Sequence, residues 1–252
     1  MISKEIFSHL KCTDAEIIHR ECIDSTSSYA RKLLNKYDEK RYIVIADEQT
    51  CGRGRNGKSF YSSNKGSVYM SVVLHPGLPF TDTVGVTTAA AVAVSRAVEH
   101  VTGKQTDIKW VNDLYYEGKK VCGILCEAVS QKGIVSSVII GVGINLGDCV
   151  FPDELDGVAG SLGCNVNLRY ELIAAVADEL FSLNFGALDE KILAEYRSKS
   201  MVIGKDIYYY TNGEKNNARA VGIDGQGGLI VENADGTRDV LRSGEITLRL
   251  SD

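Results

Sequence analysis

The chain has 252 residues, 44% hydrophobic and 24% charged, with a formal net charge of −5 and a pI near 5.5. That length can bury a full core in one large domain or two, and the acidic balance argues against a general nucleic-acid binder. Met1–Leu10 carries Lys4, Glu5 and His9 where a secretory leader would be apolar, no run is long enough to span a bilayer, and seven cysteines without a C-x-x-C pair read as reduced core thiols of a cytoplasmic protein.

Residues 1–21 are mixed and polar, and too few for a helix-turn-helix domain. Ser25-Thr26-Ser27-Ser28 is a run of N-cap residues. After it, Tyr29, Ala30, Leu33, Leu34 and Tyr37 fall on one helical face. Ser25 and Thr26 therefore open a helix; their hydroxyls either cap it or also face a ligand. Tyr42–Ala46 reads as a buried strand.

Gln49 to Phe60 follows, Gln-Thr-Cys-Gly-Arg-Gly-Arg-Asn-Gly-Lys-Ser-Phe. Gly52, Gly54 and Gly57 give backbone freedom. Arg53, Arg55 and Lys58 give three cations without an acid among them, suited to gathering onto an anion such as a nucleotide. The letters match both G-x-x-x-x-G-K-S and G-x-G-x-x-G. Either phosphate motif needs a helix directly after it. Here a turn leads to Ser67–His75, a strand by its β-branched and aromatic content. Strand–loop–strand argues against a P-loop, and the kinase tripeptides HRD and DFG are absent. A solvated basic hairpin loop is the plainer alternative.

Pro76-Gly77 and Pro79 interrupt the chain. Thr83 to Thr102 is an alanine- and valine-rich helix, apolar on nearly every face and so central, with Gly103 at its C′ position. Thr106–Asn112 returns to strand character, ending in Lys109-Trp110-Val111-Asn112-Asp113-Leu114-Tyr115. Alternation puts Lys109 and Val111 on one face and Trp110 and Asn112 on the other. Glu117-Gly118 is a turn, and Lys119–Val129 pairs back as a hairpin. Gly123 inside that strand marks either a close approach or a bulge. Ile134–Leu146 is a further buried strand. Its end, Gly141-Val142-Gly143-Ile144-Asn145, suits backbone packing against a flat ring, or a plain turn. Pro152–Cys164 is loop, Asn167 caps a helix Leu168–Phe185 stopped by Gly186, and Asp189–Lys199 is a short helix. After Met201 come five short strands, Lys205–Tyr210, Ala218–Ile223, Gly228–Glu232, Arg238–Arg242 and Glu245–Leu250. Asn212-Gly213, Asp224-Gly225 and Asp235-Gly236 are turns between them. They make a small β-barrel, with a boundary near 201 dividing 1–200 from 201–252.

Asp24-Ser25-Thr26, Gln49, Gly52-Arg53-Gly54-Arg55-Asn56-Gly57, Lys109-Trp110-Val111-Asn112-Asp113, Lys120 with Gly123-Ile124-Leu125, Gly141–Asn145 and Gly244-Glu245-Ile246 stand in the order seen in biotin protein ligases. From about Glu21 onward the chain resembles that family. The resemblance implies an α+β fold. Its catalytic domain would have the mixed sheet of the class II synthetase-like biotin–lipoate ligases, followed by an SH3-like barrel. It implies that biotin and MgATP form biotinyl-5′-AMP, and that biotin then passes to one lysine of a carboxylase's biotin carboxyl carrier domain. By matching motif, Lys120, Arg53 and Arg55 would be the catalytic cations. Ser25, Thr26, Ser27, Gln49, Arg53, Gly54, Arg55, Lys120 and Gly123 would bind biotin. Arg53, Arg55, Phe60, Lys109, Asn112, Asp113, Asn145 and Arg249 would bind ATP, with Asp113 the candidate Mg²⁺ contact through the nucleotide. The family often dimerises through the edge of its central sheet, which makes a homodimer an expectation by analogy. Some members carry a DNA-binding winged helix; this chain lacks room for one, so a ligase without DNA or membrane partners is expected. Ser27 stands where Asn is usual, Phe60 for Trp and Val111 for Pro. Two competing readings are a lipoate or octanoyl ligase of the same fold and a non-catalytic biotin or nucleotide sensor.

Overall fold

The structure is a computed structural model. It describes residues 2–12, 14–37, 40–62, 66–76, 78–79, 83–184, 188–211, 214–244 and 246–248. Gly77, Gly186, the Asn212–Gly213 turn, Glu245 and Arg249 lie outside the described residues.

The organising layer is a mixed sheet. Strands β1 (Glu16–Ile23), β2 (Tyr42–Gln49), β3 (Val68–Leu74), β4 (Leu78–Pro79), β5 (Asp107–Lys109), β6 (Asp113–Tyr116), β7 (Lys119–Gln131) and β8 (Ile134–Ile144) belong to it. Their order is β1-β2-β3-β8-β7-β6-β5, with β4 paired to β8; β1 and β2 are parallel and the other pairs antiparallel. Tyr42–Ala46 are wholly buried because both faces of the sheet are covered there. One face meets the main core. Helices α3 (Thr83–Thr102) and α4 (Arg169–Phe181) pack together on it, with α1 (Ile2–His9) against α4 and α5 (Glu190–Ser198) against α3. Alanine-rich α3 is where the sequence places it, because small side chains let a helix lie close to its neighbours. Gly103 ends it at φ +69°, donating to the Glu99 carbonyl.

Among the described residues, α2 (Thr26–Leu33) is the helix on the opposite face, covering Ile18, Tyr42, Val44, Val73 and Ile139. Eight residues cannot cover the whole face. Beyond α2 the sheet presents Ser71, Gly141, Gly143 and Gly123, whose small or absent side chains let Ser27 and the Phe60 ring come close to the strands. That uncovered half is where the site lies.

A second, five-stranded antiparallel sheet follows in the order β12-β11-β10-β9-β13. Its strands are β9 (Asp206–Thr211), β10 (Glu214–Ile223), β11 (Leu229–Asn233), β12 (Arg238–Leu241) and β13 (Ile246–Leu248). The fold is thus α+β, a mixed sheet with helices and a small antiparallel C-terminal sheet. Among the described residues no helix is long and apolar enough to cross a membrane.

Residues 2–9 and 16–23, to which the sequence assigns no element, form α1 and β1. An edge strand buries little, so Glu-Ile-Ile-His-Arg-Glu-Cys-Ile shows no alternation to read. Three expectations need correction. Thr106–Asn112 is not one strand. Lys109 pairs with Asp113, and Trp110–Asn112 form the hairpin turn, with a cis peptide at Trp110–Val111. Their side chains do not alternate; distant partners hold them. Trp110 Nε1 donates to the Gly227 carbonyl and Asn112 Nδ2 to that of Ile124. Asn167 does not cap α4, whose N-cap is Leu168 without a side-chain bond; Asn165 caps the 3-10 turn just before it, accepting from the Asn167 N–H. And α4 ends at Phe181, short of Phe185.

Arg169, at the start of α4, is 7% exposed. It donates to the carbonyls of Ser67 and Ala46 and to Asp47 Oδ1 at 2.8 Å, while His19 meets the other Asp47 oxygen. Removing one partner strands the rest. Arg169→Ala is expected to cost about 3 kcal/mol of stability, read as a lower urea midpoint at constant m-value.

Candidate active site

The cavity on the uncovered half of the sheet has a volume of about 320 Å³. Its inner end is built from hydroxyls. Ser25 caps α2, accepting from the Ser28 N–H, and so aims the first turn inward. Ser71 Oγ on β3 lies 2.8 Å from Thr26 Oγ1 and 3.0 Å from Ser27 Oγ, forming a buried hydroxyl chain. Gln49 Oε1 accepts from the Thr26 N–H at 2.7 Å, and Gln49 Nε2 donates to Ser62 Oγ. Ser27, where the resemblance expects Asn, supplies one hydroxyl of that chain.

The floor is glycine. A β-carbon at Gly141 would come within 2.5 Å of Ser27 Oγ, and one at Gly123 within 3.1 Å of the Phe60 ring. One at Gly143 would clash with Phe60 Cε1 and lie 2.7 Å from Cζ. Gly123 is thus a close approach rather than a bulge; the register shift on β7 falls two residues earlier, opposite Leu114 and Tyr115. Of the two β8 glycines, Gly143 packs against a flat ring, that of Phe60, while Gly141 faces the Ser27 and Ser71 hydroxyls.

The Gly/Arg loop closes the top. It is a hairpin between strands, with Phe60 N–H to Gly52 C=O, Gly54 N–H to Lys58 C=O, and Arg53 bridged to Ser59. Asn56 and Gly57 both take positive φ at its tip. Among the described residues the next element is the strand β3 and not a helix, so the phosphate-loop pattern is one of letters only. Arg53 reaches Glu127 with both terminal nitrogens, at 2.9 and 3.1 Å. Arg55 Nη1 lies 3.4 Å from Asn112 Oδ1. Lys120 Nζ stands 2.8 Å from Asp113 Oδ1, a charge contact without the alignment of a hydrogen bond. Lys109 lies over the Tyr115 ring. Burial, then the charge of Asp113, pushes the Tyr115 phenol up to about 12. Gly244, Ile246 and Thr247 of the C-terminal sheet complete the rim.

Ser25, Thr26, Ser27, Gln49, Arg53, Gly54, Arg55, Phe60, Lys109, Asn112, Asp113, Lys120 and Gly123 therefore line one cavity. Asn145 does not line it. It is buried, its Nδ2 donates to the Gly160 carbonyl at 2.9 Å, and its Oδ1 is buried without a partner among the described residues. Cys122 and Cys126 lie behind the floor as thiols; burial pushes Cys126 up to about 12. The sequence reading passed over Ser71 and Glu127. Each is a lone polar residue in an otherwise apolar strand, Val-Tyr-Met-Ser-Val-Val-Leu and Val-Cys-Gly-Ile-Leu-Cys-Glu-Ala-Val, and that is the signal that could have found them.

Chemically, one end offers hydroxyls and amides to a neutral polar ring. The other offers cations to phosphates. A flat, side-chain-free floor joins them.

Residues 20–145 match the model of the biotin/lipoate A/B protein ligase family, and 204–249 match the biotin protein ligase C-terminal domain. The bifunctional ligase/repressor BirA of Bacillus subtilis is 34% identical over 234 residues, covering 89% of this chain and 71% of that protein. The biotin–[acetyl-CoA-carboxylase] ligase of Mycobacterium tuberculosis is 28% identical, covering 81% and 77%. Among solved structures, the biotin protein ligase of Aquifex aeolicus in complex with biotin and ATP superposes with a TM-score of 0.75 at 27% identity, covering 94% of this chain and 99% of that one.

Proposed function

The chain belongs to the biotin/lipoate A/B protein ligase family, with the biotin protein ligase C-terminal module, and from that premise we propose that it joins biotin to ATP as biotinyl-5′-AMP and then transfers biotin to a carrier-domain lysine. A carboxylate oxygen of biotin attacks the α-phosphorus, and the bond to pyrophosphate breaks. The acceptor amine then attacks the acyl carbon, and AMP leaves with the bonding pair while the amine loses a proton. Two anions must meet in the first step, so lowering their repulsion is the first requirement. In-line displacement asks for positioning rather than a protein nucleophile.

The observation that carries this reading is the polarity of the cavity. Ser25, Thr26, Ser27 and Gln49, with Ser71 holding Thr26 and Ser27 from behind, suit a cyclic urea, which has two N–H donors and one acceptor. Arg55, Lys109 and Lys120 gather where the phosphates would lie, with Lys120 at the junction. Phe60 over Gly123 and Gly143 suits the flat part of the adenylate. The unpartnered Oδ1 of Asn145 supports a contact to the adenine amine once neighbouring groups adjust.

Mg²⁺ fits as a guest of the nucleotide. Among the described residues, Asp113 is the one carboxylate lining the cavity, and no cluster of three or more metal-ligating side chains exists. One carboxylate plus substrate phosphates is an ordinary way to hold Mg²⁺, which would neutralise charge there.

Seven free thiols support a cytoplasmic setting. The acidic balance supports a function without nucleic acid, and the outer strands of the main sheet, β1 and β5, are the edges at which two copies would pair in a homodimer. A division near residue 201 accords with a C-terminal sheet that starts at Asp206.

Pyrophosphate release with biotin and ATP tests the reading. Release is expected with biotin and not with lipoate, followed by labelling of a carrier domain. Release with lipoate alone would make the protein a lipoate ligase, and no release with either would make it a sensor.

A further inference from the structure

Glu127 lies on the site face of β7, in the row Gly123, Leu125, Glu127 that lines the cavity floor and continues past it. Its side chain is 16% exposed. Two arginines from different elements meet on it. Arg31, on α2, donates to Oε1 at 3.1 Å. Arg53, on the loop, donates to Oε1 at 2.9 Å and to Oε2 at 3.1 Å. We propose that Glu127 is a positioning residue: through Arg31 and Arg53 it clasps α2 and the arginine loop together over the hydroxyl-lined end of the cavity, and so sets the affinity for the ring of the substrate. This rests on the biotin reading of the same site and assigns one arginine a different task within it.

The chemistry is that of a fork on a carboxylate. A guanidinium held by both terminal nitrogens is fixed in orientation as well as place. With that fork engaged, Arg53 works as an anchor, and the charge facing the phosphates comes from Arg55 and Lys120. Anchoring matters because of where the loop's other ties fall: Gly54 to Lys58 and Phe60 to Gly52 shape the hairpin, Thr50 and Cys51 fix its base to the carbonyls of Ile23 and Asp24, and Arg55 reaches Asn112. The fork of Arg53 on Glu127 adds a charged tie from the loop to β7 on the side where α2 lies. On the far side, Arg31 belongs to the helix whose first turn carries Ser25, Thr26 and Ser27. One half-buried carboxylate thus holds both covers of the ring site, and the Thr26–Gln49 bond is a second stitch along the same seam.

The test is a double-mutant cycle on the full chain, with radiolabelled biotin in equilibrium dialysis and pyrophosphate release as the two readouts. E127Q is expected to weaken biotin binding roughly tenfold, leaving the KM for ATP within about twofold. R53Q is expected to weaken biotin by the same factor. The pair E127Q/R53Q is expected to be no worse than either alone, because each removes the same clasp. A loss that multiplies in the double variant would overturn the proposal. So would a shift confined to ATP, or a kcat lowered by R53Q but untouched by E127Q. If E127Q does not fold, R31Q, at a half-exposed position, decides: biotin weakened severalfold supports the clasp, and unchanged binding refutes it. Wild-type release assayed in parallel separates the two readings. Without biotin-dependent turnover the ligase assignment fails; with turnover and unmoved variants, only the clasp does.

Discussion

Lys120→Ala is expected to lower biotin-dependent pyrophosphate release by roughly 10²–10³-fold, with the folded state intact. Lys120 is the second residue of β7, paired with Tyr115 on one side and bonded on the other to the segment 158–160, its N–H to the Val158 carbonyl and its own carbonyl to the Gly160 N–H. The side chain therefore enters the cavity from a fixed point, reaching Asp113 at 2.8 Å. A preorganised cation at the place where two anions approach stabilises the charge of the transition state without reorganising. Alanine removes it and leaves Asp113 facing the substrate, so repulsion is added to the loss. The measurement is kcat for release at saturating biotin and ATP, with a thermal melt alongside. Wild-type turnover in the variant would refute the role of Lys120.

Gly143→Val is the second large effect, and its cause is steric. Gly143 sits in β8, paired with Tyr69 of β3 and with Gly123 of β7. A strand hydrogen-bonded on both sides cannot retreat. Its new side chain would occupy the space of the Phe60 ring, whose Cζ lies 2.7 Å from the β-carbon position. Phe60 belongs to a loop and can swing away, so the fold should persist. The floor would no longer accept a flat ring, and a misplaced nucleotide should cost about 100-fold in kcat/KM for ATP. Gly225→Ala, where a β-carbon meets nothing within 4 Å, is the matched control and should leave release unchanged. Equal activity of the two variants would show that nothing stacks on this floor.

Much of the architecture was legible because it is locally encoded. Thr83–Thr102 was read at its observed bounds, since twenty residues of helical apolar pattern leave no competing period. The Ser25 cap, the Tyr42 strand and the five C-terminal strands were legible for the same reason. β1 and α1 were not, because an edge strand and a terminal helix bury too little to stamp a pattern on their sequence. The Lys109–Asp113 block was legible as a motif but not as a shape. Its turn is held by Gly227 and Ile124, and nothing within the block announces either.

The same division runs through the site. Glycines, arginines and hydroxyls at set spacings, together with the family they resemble, pointed to a ligand-binding loop, a capped helix and a glycine-bearing strand. Which charges face each other was decided by the tertiary structure alone. Arg53 found Glu127 74 residues away, and Arg31 found it 96 residues away. A sequence carries the identity of a charge along the chain. Its partner depends on which strands lie side by side, and that is settled only when the sheet closes and brings distant segments to within a few ångströms.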